Sequence, residues 1–276
     1  MKDAPVTVIG AGAVGRSLAQ ALVRAGLRLK GIYSLNGTSA RRLARSLRVP
    51  DSGPLDMMTN AAGTVIIAVP DDGIRTVVRH LARTSASLRG VVVLHTSGAL
   101  NGGALKPLKR LGASVGSLHP MQTFPRGAVT PLAGCWMAVE GEVRAVAAAR
   151  MLARRTGAFP VRIAPAQKAA YHAAGVFVSN YFVTLAGVAE ELHRRAGIPP
   201  RTSRPMLAPL MRRTVENILA LGPAAALTGP VERGDFRTVE RHRRALAGHR
   251  FLALYDALAA ETARVARRKK RNRHAR

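Results

Sequence analysis

Val6-Thr-Val-Ile-Gly10-Ala-Gly12-Ala-Val-Gly15 is the stretch whose reading decides the fold. Four residues suited to a buried strand run into G-x-G-x-x-G. A helical stripe of Val14, Leu18, Leu22 and Ala25 opens at once and stops at Gly26. Strand, glycine turn and helix in one register separate a dinucleotide fingerprint from a chance glycine cluster. Gly10 permits the tight turn, Gly12 lets the backbone approach a pyrophosphate, and Gly15 lets the helix pack close to the strand. The helix opening at Ala13 and Val14 then turns free N–H groups and the positive end of its dipole toward the phosphates.

Working outward, 29–36 reads as the second strand. NAD-binding chains usually place an acid at its end for the ribose hydroxyls, and none stands here. Ser34, Asn36, Thr38 and Ser39 come instead, followed by Arg41 and Arg42. A carboxylate would repel a 2′-phosphate, whereas hydroxyls, an amide and a guanidinium can hold one, so NADP is expected in preference to NAD. The run 63–70 is apolar throughout, as a strand covered on both faces should be, and its Val69-Pro70 turn is expected beside the adenosine half of the cofactor. Asp71 and Asp72 read as N-caps of the helix that follows.

Two strands end in polar residues: 91–98, closing His95-Thr96-Ser97-Gly98, and 113–123, with Ser117-Leu-His119-Pro-Met-Gln-Thr. In an open α/β sheet, ligands sit beyond the carboxyl ends of the strands, so both clusters share an edge with the glycine loop. Thr96 and Ser97 are candidates to bond a substrate oxygen. His119 is a candidate general acid or substrate clamp. Short strands at 135–139 and 159–163 flank a helix over 142–156 and finish the sheet near residue 164.

From 166 onward the pattern is helix alone. The segment 166–196 holds no internal proline and predicts one helix about 45 Å long. Lys168 and His172 stand four residues apart on it, with Asn180 eight further on, on a stripe that is otherwise apolar. Burying such groups without partners is costly, so this face is expected to border a cavity. More helices follow over 204–221, 235–247 and 250–268, with Asp235 placed to pair with Arg233 or to cap the helix it opens. The expected organisation is a doubly wound α/β domain over 1–164, an all-α domain over 165–264, and an unfolded basic tail over 265–276.

The bulk properties limit the alternatives. A 47% apolar fraction can build cores, while aromatic residues are only 4%. The single cysteine, Cys135, excludes an intramolecular disulfide framework or a multi-cysteine zinc site, and no metal is expected. A formal net charge of +28 is spread over every segment without a nucleic-acid motif or an aromatic stacking platform. It implies weak, salt-sensitive binding to polyanions and no specific nucleic-acid site. The first strand is expected about five residues in, and no signal peptide is expected. No apolar run is expected to span a bilayer, so a cytoplasmic setting is expected.

Taken together, these motifs resemble a bacterial family that joins a Rossmann-like oxidoreductase domain to a C-terminal helical domain of unknown function. They are the glycine loop, Val69-Pro-Asp, His95-Thr-Ser-Gly98, Leu118-His-Pro-Met-Gln-Thr-Phe124, Tyr171-His172 with Ser179-Asn-Tyr181, and Leu227-Thr-Gly-Pro with Arg233-Gly-Asp235. The resemblance implies an NADP-type domain and a helical dimerisation domain like those of 6-phosphogluconate and β-hydroxyacid dehydrogenases. The His119-Pro-Met stretch is similar to a prephenate dehydrogenase motif whose histidine serves the substrate. The β-hydroxyacid dehydrogenases carry a catalytic Lys with an Asn four residues later; Lys168 and His172 have that spacing, with His in place of Asn. The expectation is hydride transfer between NADP(H) and a small hydroxy acid, keto acid or imine, in a homodimer. Lys168, His119 and His172 would be the acid–base candidates, and Thr96, Ser97 and Asn180 the substrate anchors. The other class open to the sequence is an NADP-binding sensor or scaffold that has lost catalysis.

Overall fold

The computed structural model describes residues 4–58 and 60–274. Contacts divide the chain into two units, Met1–Asn180 and Tyr181–Arg276. The first is built on one eight-stranded sheet: β1 (Val6–Ile9), β2 (Leu29–Ser34), β3 (Asp51–Pro54), β4 (Thr64–Ile67), β5 (Val92–His95), β6 (Ser114–Pro120), β7 (Trp136–Gly141) and β8 (Phe159–Arg162). Their order is β3-β2-β1-β4-β5-β6-β7-β8. The first six run parallel in the doubly wound order, β7 turns antiparallel to β6, and β8 is parallel to β7. Strand β3, an Asp-Ser-Gly-Pro segment, gave no strand signal in the sequence, since its residues are poor strand formers and only its edge pairing to β2 makes it one.

Helices α1 (Ala13–Arg24), α2 (Thr38–Leu47), α3 (Asp71–Thr84), α4 (Lys106–Arg110) and α5 (Val143–Arg155) belong to this unit. The apolar strands β1, β4 and β5 are buried along their whole length, and two clusters form the core. One contains Leu18, Leu22, Ile66 and Val139; the other contains Ile67, Val77, Leu81 and Val93. The N-cap of α3 is Pro70, with no side-chain cap; Asp71 and Asp72 lie inside the first turn, where a carboxylate still meets the positive end of the helix.

The single long helix expected over 166–196 is two: α6 (Lys168–Val178) and α7 (Asn180–Arg195), interrupted at Ser179 with φ −117° and ψ −75°. The sheet unit therefore reaches Asn180, not 164, and takes all of α6 with it. Within Pro165–Arg195 an 18-residue window reaches a mean hydropathy of 1.3, long and apolar enough by length and composition to cross a membrane, against the expectation that no segment would be.

The second unit continues through α8 (Pro200–Ala226), α9 (Pro230–Arg233), α10 (Phe236–Ala245) and α11 (Leu252–His274). Gly222 breaks the helical geometry of α8. Asp235 does cap α10, accepting from the Thr238 N–H at 3.0 Å. The basic stretch expected to be unfolded from 265 is helical as far as His274. Among the described residues this unit buries only Ser203, Leu246 and Ala266. Its helices are tied by polar links: Arg204 to Glu190 at 2.7 Å, Arg243 to Asp256 at 3.0 Å, and Lys269 to Glu232 at 3.0 Å.

Candidate functional site

Register places the site. Ile9, Ile67, His95 and Ser117 are level with one another across β1, β4, β5 and β6, so the glycine loop and the polar strand ends open on one edge. At that edge the three glycines differ in why they are glycine. Gly10 has φ +112°, and a Cβ there would stand 2.2 Å from the Ala68 carbonyl oxygen; a Cβ on Gly15 would stand 1.8 Å from the Gly10 carbonyl oxygen. Both are demanded by the fold. Gly12, the N-cap of α1, has φ −70°, and a Cβ there would meet nothing within 4 Å. The folded chain has no need of a glycine at this position. Ala13 and Val14 begin a helix without a side-chain cap, so its leading N–H groups are offered outward.

At the end of β2, Ser34 is buried and Ser39 Oγ donates to its Oγ at 3.1 Å. Asn36, Thr38, Ser39 and Arg42 line one depression with Arg16 of α1. Arg41, the guanidinium singled out from sequence, is not among the lining residues; one step along α2 puts Arg42 there instead. Val69 packs on the glycine turn: its Cγ1 is 3.0 Å from the Cβ position of Gly10. Pro70 sets the start of α3.

The polar cluster is organised by Lys168. It is the only buried residue of α6, 1% exposed, while Phe177 and Val178 of the same helix lie open. Its Nζ donates to the Ser97 carbonyl and to Ser117 Oγ, each at 2.7 Å. Among the described residues it makes no ion pair. Burial lowers its pKa from 10.5 to about 8, opposed by the charges of Glu140 and Asp71.

Three residues on, Tyr171 OH lies 3.1 Å from His119 Nδ1. With the phenol as donor to Nδ1, the imidazole proton is left on Nε2. Burial pushes the Tyr171 pKa up to about 12, so it remains a donor. Burial, with the Lys168 charge second, lowers His119 to about 4 and keeps it neutral at pH 7. The His119 and His172 rings meet edge to face at 5.7 Å between centroids. Both rest on Gly98, where a Cβ would stand 2.4 Å from His172 Cδ2 and 2.7 Å from His119 Nε2. A cleft of about 260 Å³ opens beside them, lined also by Gln122, Thr123, Ser179 and Asn180.

The two hydroxyls expected to anchor a substrate are used within the chain. Ser97 Oγ accepts the Ala99 and Leu100 N–H groups at 3.2 and 2.9 Å, which shapes the turn after β5. Thr96 Oγ1 points back to the Ile67 carbonyl at 3.5 Å. The structure does bring Lys168, His119, His172 and Asn180 to one place. It adds His95, Ser117, Glu140 and Tyr171, which sequence reasoning left without a role. Only Tyr171 carried a usable signal, since i, i+3 from a lysine on a helix is the same face.

Residues 2–120 match the Rossmann-like domain, and residues 135–262 match DUF2520, a domain of unknown function. No curated protein matches the chain. Among solved structures, a Thermotoga maritima protein, TM1727, is 27% identical, with 96% of this chain and 99% of that one covered and a TM-score of 0.77. A "putative NADP oxidoreductase" from Bacteroides fragilis is 24% identical, with 95% and 99% covered and a TM-score of 0.77. A reductive aminase from Aspergillus terreus, in complex with NADPH and ethyl-5-oxohexanoate, is 16% identical over 96% of this chain and 94% of that one, with a TM-score of 0.68. These likenesses show that the two-domain fold extends over nearly the whole chain.

Proposed function

Because the chain joins a Rossmann-like domain to a DUF2520 domain, we propose that it is an NADP-dependent oxidoreductase acting on a small polar carbonyl, imine or alcohol. One observation carries this reading: Gly12 is a glycine that the fold does not require, at the N-terminus of a helix that follows β1. A bare backbone there serves a ligand that must come close, and a pyrophosphate is what this loop accepts. The acid-free end of β2 and the pairing of Arg16 with Arg42 favour the 2′-phosphorylated form. The neighbours whose names include NADP or NADPH agree with that choice.

The nicotinamide supplies the hydride when bound, and the protein's task is position and proton. Lys168 is protonated below pH 8 and lies close enough to neutrality to give or take a proton, so it is assigned the acid–base step. Neutral His119, with Tyr171 fixing its proton on Nε2, donates a hydrogen bond to the substrate oxygen or nitrogen without delivering a full charge. His172 and Asn180 shape the cleft beside it.

NADPH titration tests the core of the reading. Gly12→Val is expected to keep the melting temperature and lose NADPH binding, since the added side chain meets only the ligand's space. Retained NADPH affinity in that variant would remove the observation on which the reading stands. Turnover of any carbonyl, imine or alcohol in a screen refutes the sensor alternative.

A homodimer belongs to the same proposal. The second unit buries almost nothing, while Met206, Leu210, Leu219 and Leu221 of α8 are each more than half exposed. A helical unit of this size without its own core is expected to complete one against a second copy. Sedimentation at micromolar concentration is expected to give twice the chain mass; a stable monomer there would end this part of the proposal.

A further inference from the structure

The peptide group between Asn101 and Gly102 is gripped at both ends by buried titratable side chains. Its N–H donates to Glu140 Oε1 at 2.8 Å, and its carbonyl accepts from His95 Nε2 at 3.1 Å. Glu140 comes from β7 and is 2% exposed; His95 comes from the end of β5 and is fully buried. The carbonyl at Nε2 can only accept, so His95 carries its proton there, and Nδ1 is free to accept the Ser97 N–H at 3.2 Å. A second proton on this ring would face that N–H, and burial accordingly holds the His95 pKa below its usual value. His95 thus joins the 101–102 peptide to Ser97, whose carbonyl is one of the two acceptors of Lys168.

We propose that His95 and Glu140 are positioning residues: His95 holds the Ser97 carbonyl against Lys168 Nζ, and Glu140 fixes the far end of the same turn while supplying negative charge toward the buried ammonium. Around Lys168 the charged and titratable groups are Glu140 on β7, Asp71 on α3, His95 on β5, His119 on β6 and His172 on α6. The two acids favour the ammonium, and the imidazoles lend it no negative charge. Removing the Glu140 charge or loosening the Ser97 carbonyl should therefore each weaken Lys168's hold on its proton. The inference rests on Lys168 as the proton-transferring group, but its test needs no substrate.

The probe is side-chain NMR of the full-length protein, with carbon-labelled lysine and nitrogen-labelled histidine. The Lys168 signal is assigned by its loss in Lys168→Met. In the unaltered protein Lys168 is expected to titrate near 8, and His95 to show the Nε2–H tautomer and to titrate below its ordinary value of 6.5. Glu140→Gln keeps an oxygen for the Gly102 N–H and removes only the charge; the Lys168 midpoint is expected to fall while the His95 tautomer stays. His95→Asn can still accept from the Ser97 N–H, whereas His95→Gln reaches only the Asn101 carbonyl. The midpoint is expected to fall further in His95→Gln than in His95→Asn. A Lys168 midpoint that is the same in all folded variants, or a His95 that titrates at or above its ordinary value or carries its proton on Nδ1, overturns the proposal. The paired His95 variants decide it if Glu140→Gln does not fold. NADPH titration of the same samples reports separately on the oxidoreductase reading.

Discussion

Lys168 should make the protein more stable as the solution becomes alkaline, and the size of the effect follows from its burial. In the unfolded chain its ammonium loses a proton near 10.5; in the folded chain burial brings this to about 8. Below pH 8 both states hold the proton, and the folded state carries the whole cost of an ammonium without an ion pair. Between about 8 and 10.5 the folded state has released its proton and the unfolded state has not, so folding is favoured by raising the pH. That gap is worth about 3 kcal/mol at ~1.4 kcal/mol per unit. The comparison that isolates it is Lys168→Met, which fills similar space without a titrating group. Other titrations are common to both proteins and cancel in the difference. At pH 7 the Met variant is relieved of the buried charge but leaves the Ser97 carbonyl and Ser117 hydroxyl without their donor, at about 1–3 kcal/mol for each unsatisfied group. The two effects nearly offset, so little change in stability is expected there. Urea unfolding at fixed protein concentration, from pH 7 to 10, should show the unaltered protein gaining on Lys168→Met by up to about 3 kcal/mol. A difference that is constant with pH, or that falls, would refute the argument, because it would mean that Lys168 titrates alike in both states.

Three further outcomes are expected. Gly98→Ala drives a methyl to within 2.4 Å of His172 and 2.7 Å of His119. The rings can swing aside, so a stability loss of about 1–3 kcal/mol is expected, with NADPH binding intact and the His119–Tyr171 bond lost; an unchanged His119 spectrum would contradict the packing. Asn36→Asp places a carboxylate in the depression that holds Arg16 and Arg42, and should weaken NADPH relative to NADH by about tenfold, or ~1.4 kcal/mol; equal losses for both cofactors would take this depression out of 2′-phosphate recognition. On the acid side, His119 resists protonation to about 4 when folded, against 6.5 when unfolded. The stability it supports is whole above 6.5 and is lost as the pH falls toward 4, by about 3 kcal/mol at most. His119→Asn should lack that dependence, as read by melting temperature across the same range.

Much of the sheet could be read from residues 6–15 and from the apolar runs of β4 and β5, because a strand buried on both faces must be apolar along its length. The polar strand ends at 95–98 and 117–119 could be located for the same reason: they interrupt such runs. Their individual roles could not. Whether Ser97 offers its hydroxyl to a substrate or uses it on the Ala99 and Leu100 N–H groups depends on the turn after β5, which is set by His95 and Glu140, and Glu140 lies 45 residues away on another strand. The boundary at Asn180 is hidden from the sequence for a related cause. Helical periodicity begins near 166, but α6 belongs with the sheet because Lys168 reaches back to β5 and β6, and pattern alone cannot see a tertiary bond. Arg41 and Arg42 are adjacent, and the choice between them turned on one step of about 100° around α2.

The burial that makes His119 neutral is the same burial that keeps Lys168 within reach of losing its proton, and the two support each other. A charged His119 would repel the ammonium 168, and a charged Lys168 is the second cause that lowers His119. A site assembled from two basic side chains can therefore hold one charge with ease and two only at a cost. That charge resides on Lys168, whose Nζ has two oxygen acceptors, while His119 has a phenol donor on Nδ1 and can accept no further proton there. The division of labour between a proton donor at Lys168 and a neutral hydrogen-bond donor at His119 is thus imposed by the partners of each group. It would reverse only if the partners were exchanged: Tyr171→Phe frees His119 Nδ1 to bind a proton, and Lys168→Met removes the charge that opposes it. In the double variant His119 should titrate above 4 yet stay below its ordinary value of 6.5, because burial, the largest cause, remains, and in either single variant it should move less far. Imidazole NMR across pH 4 to 8 (about the span between the two values) reads this directly. A His119 that stays near 4 in the double variant would show that desolvation alone sets it, and that the division of labour has another origin.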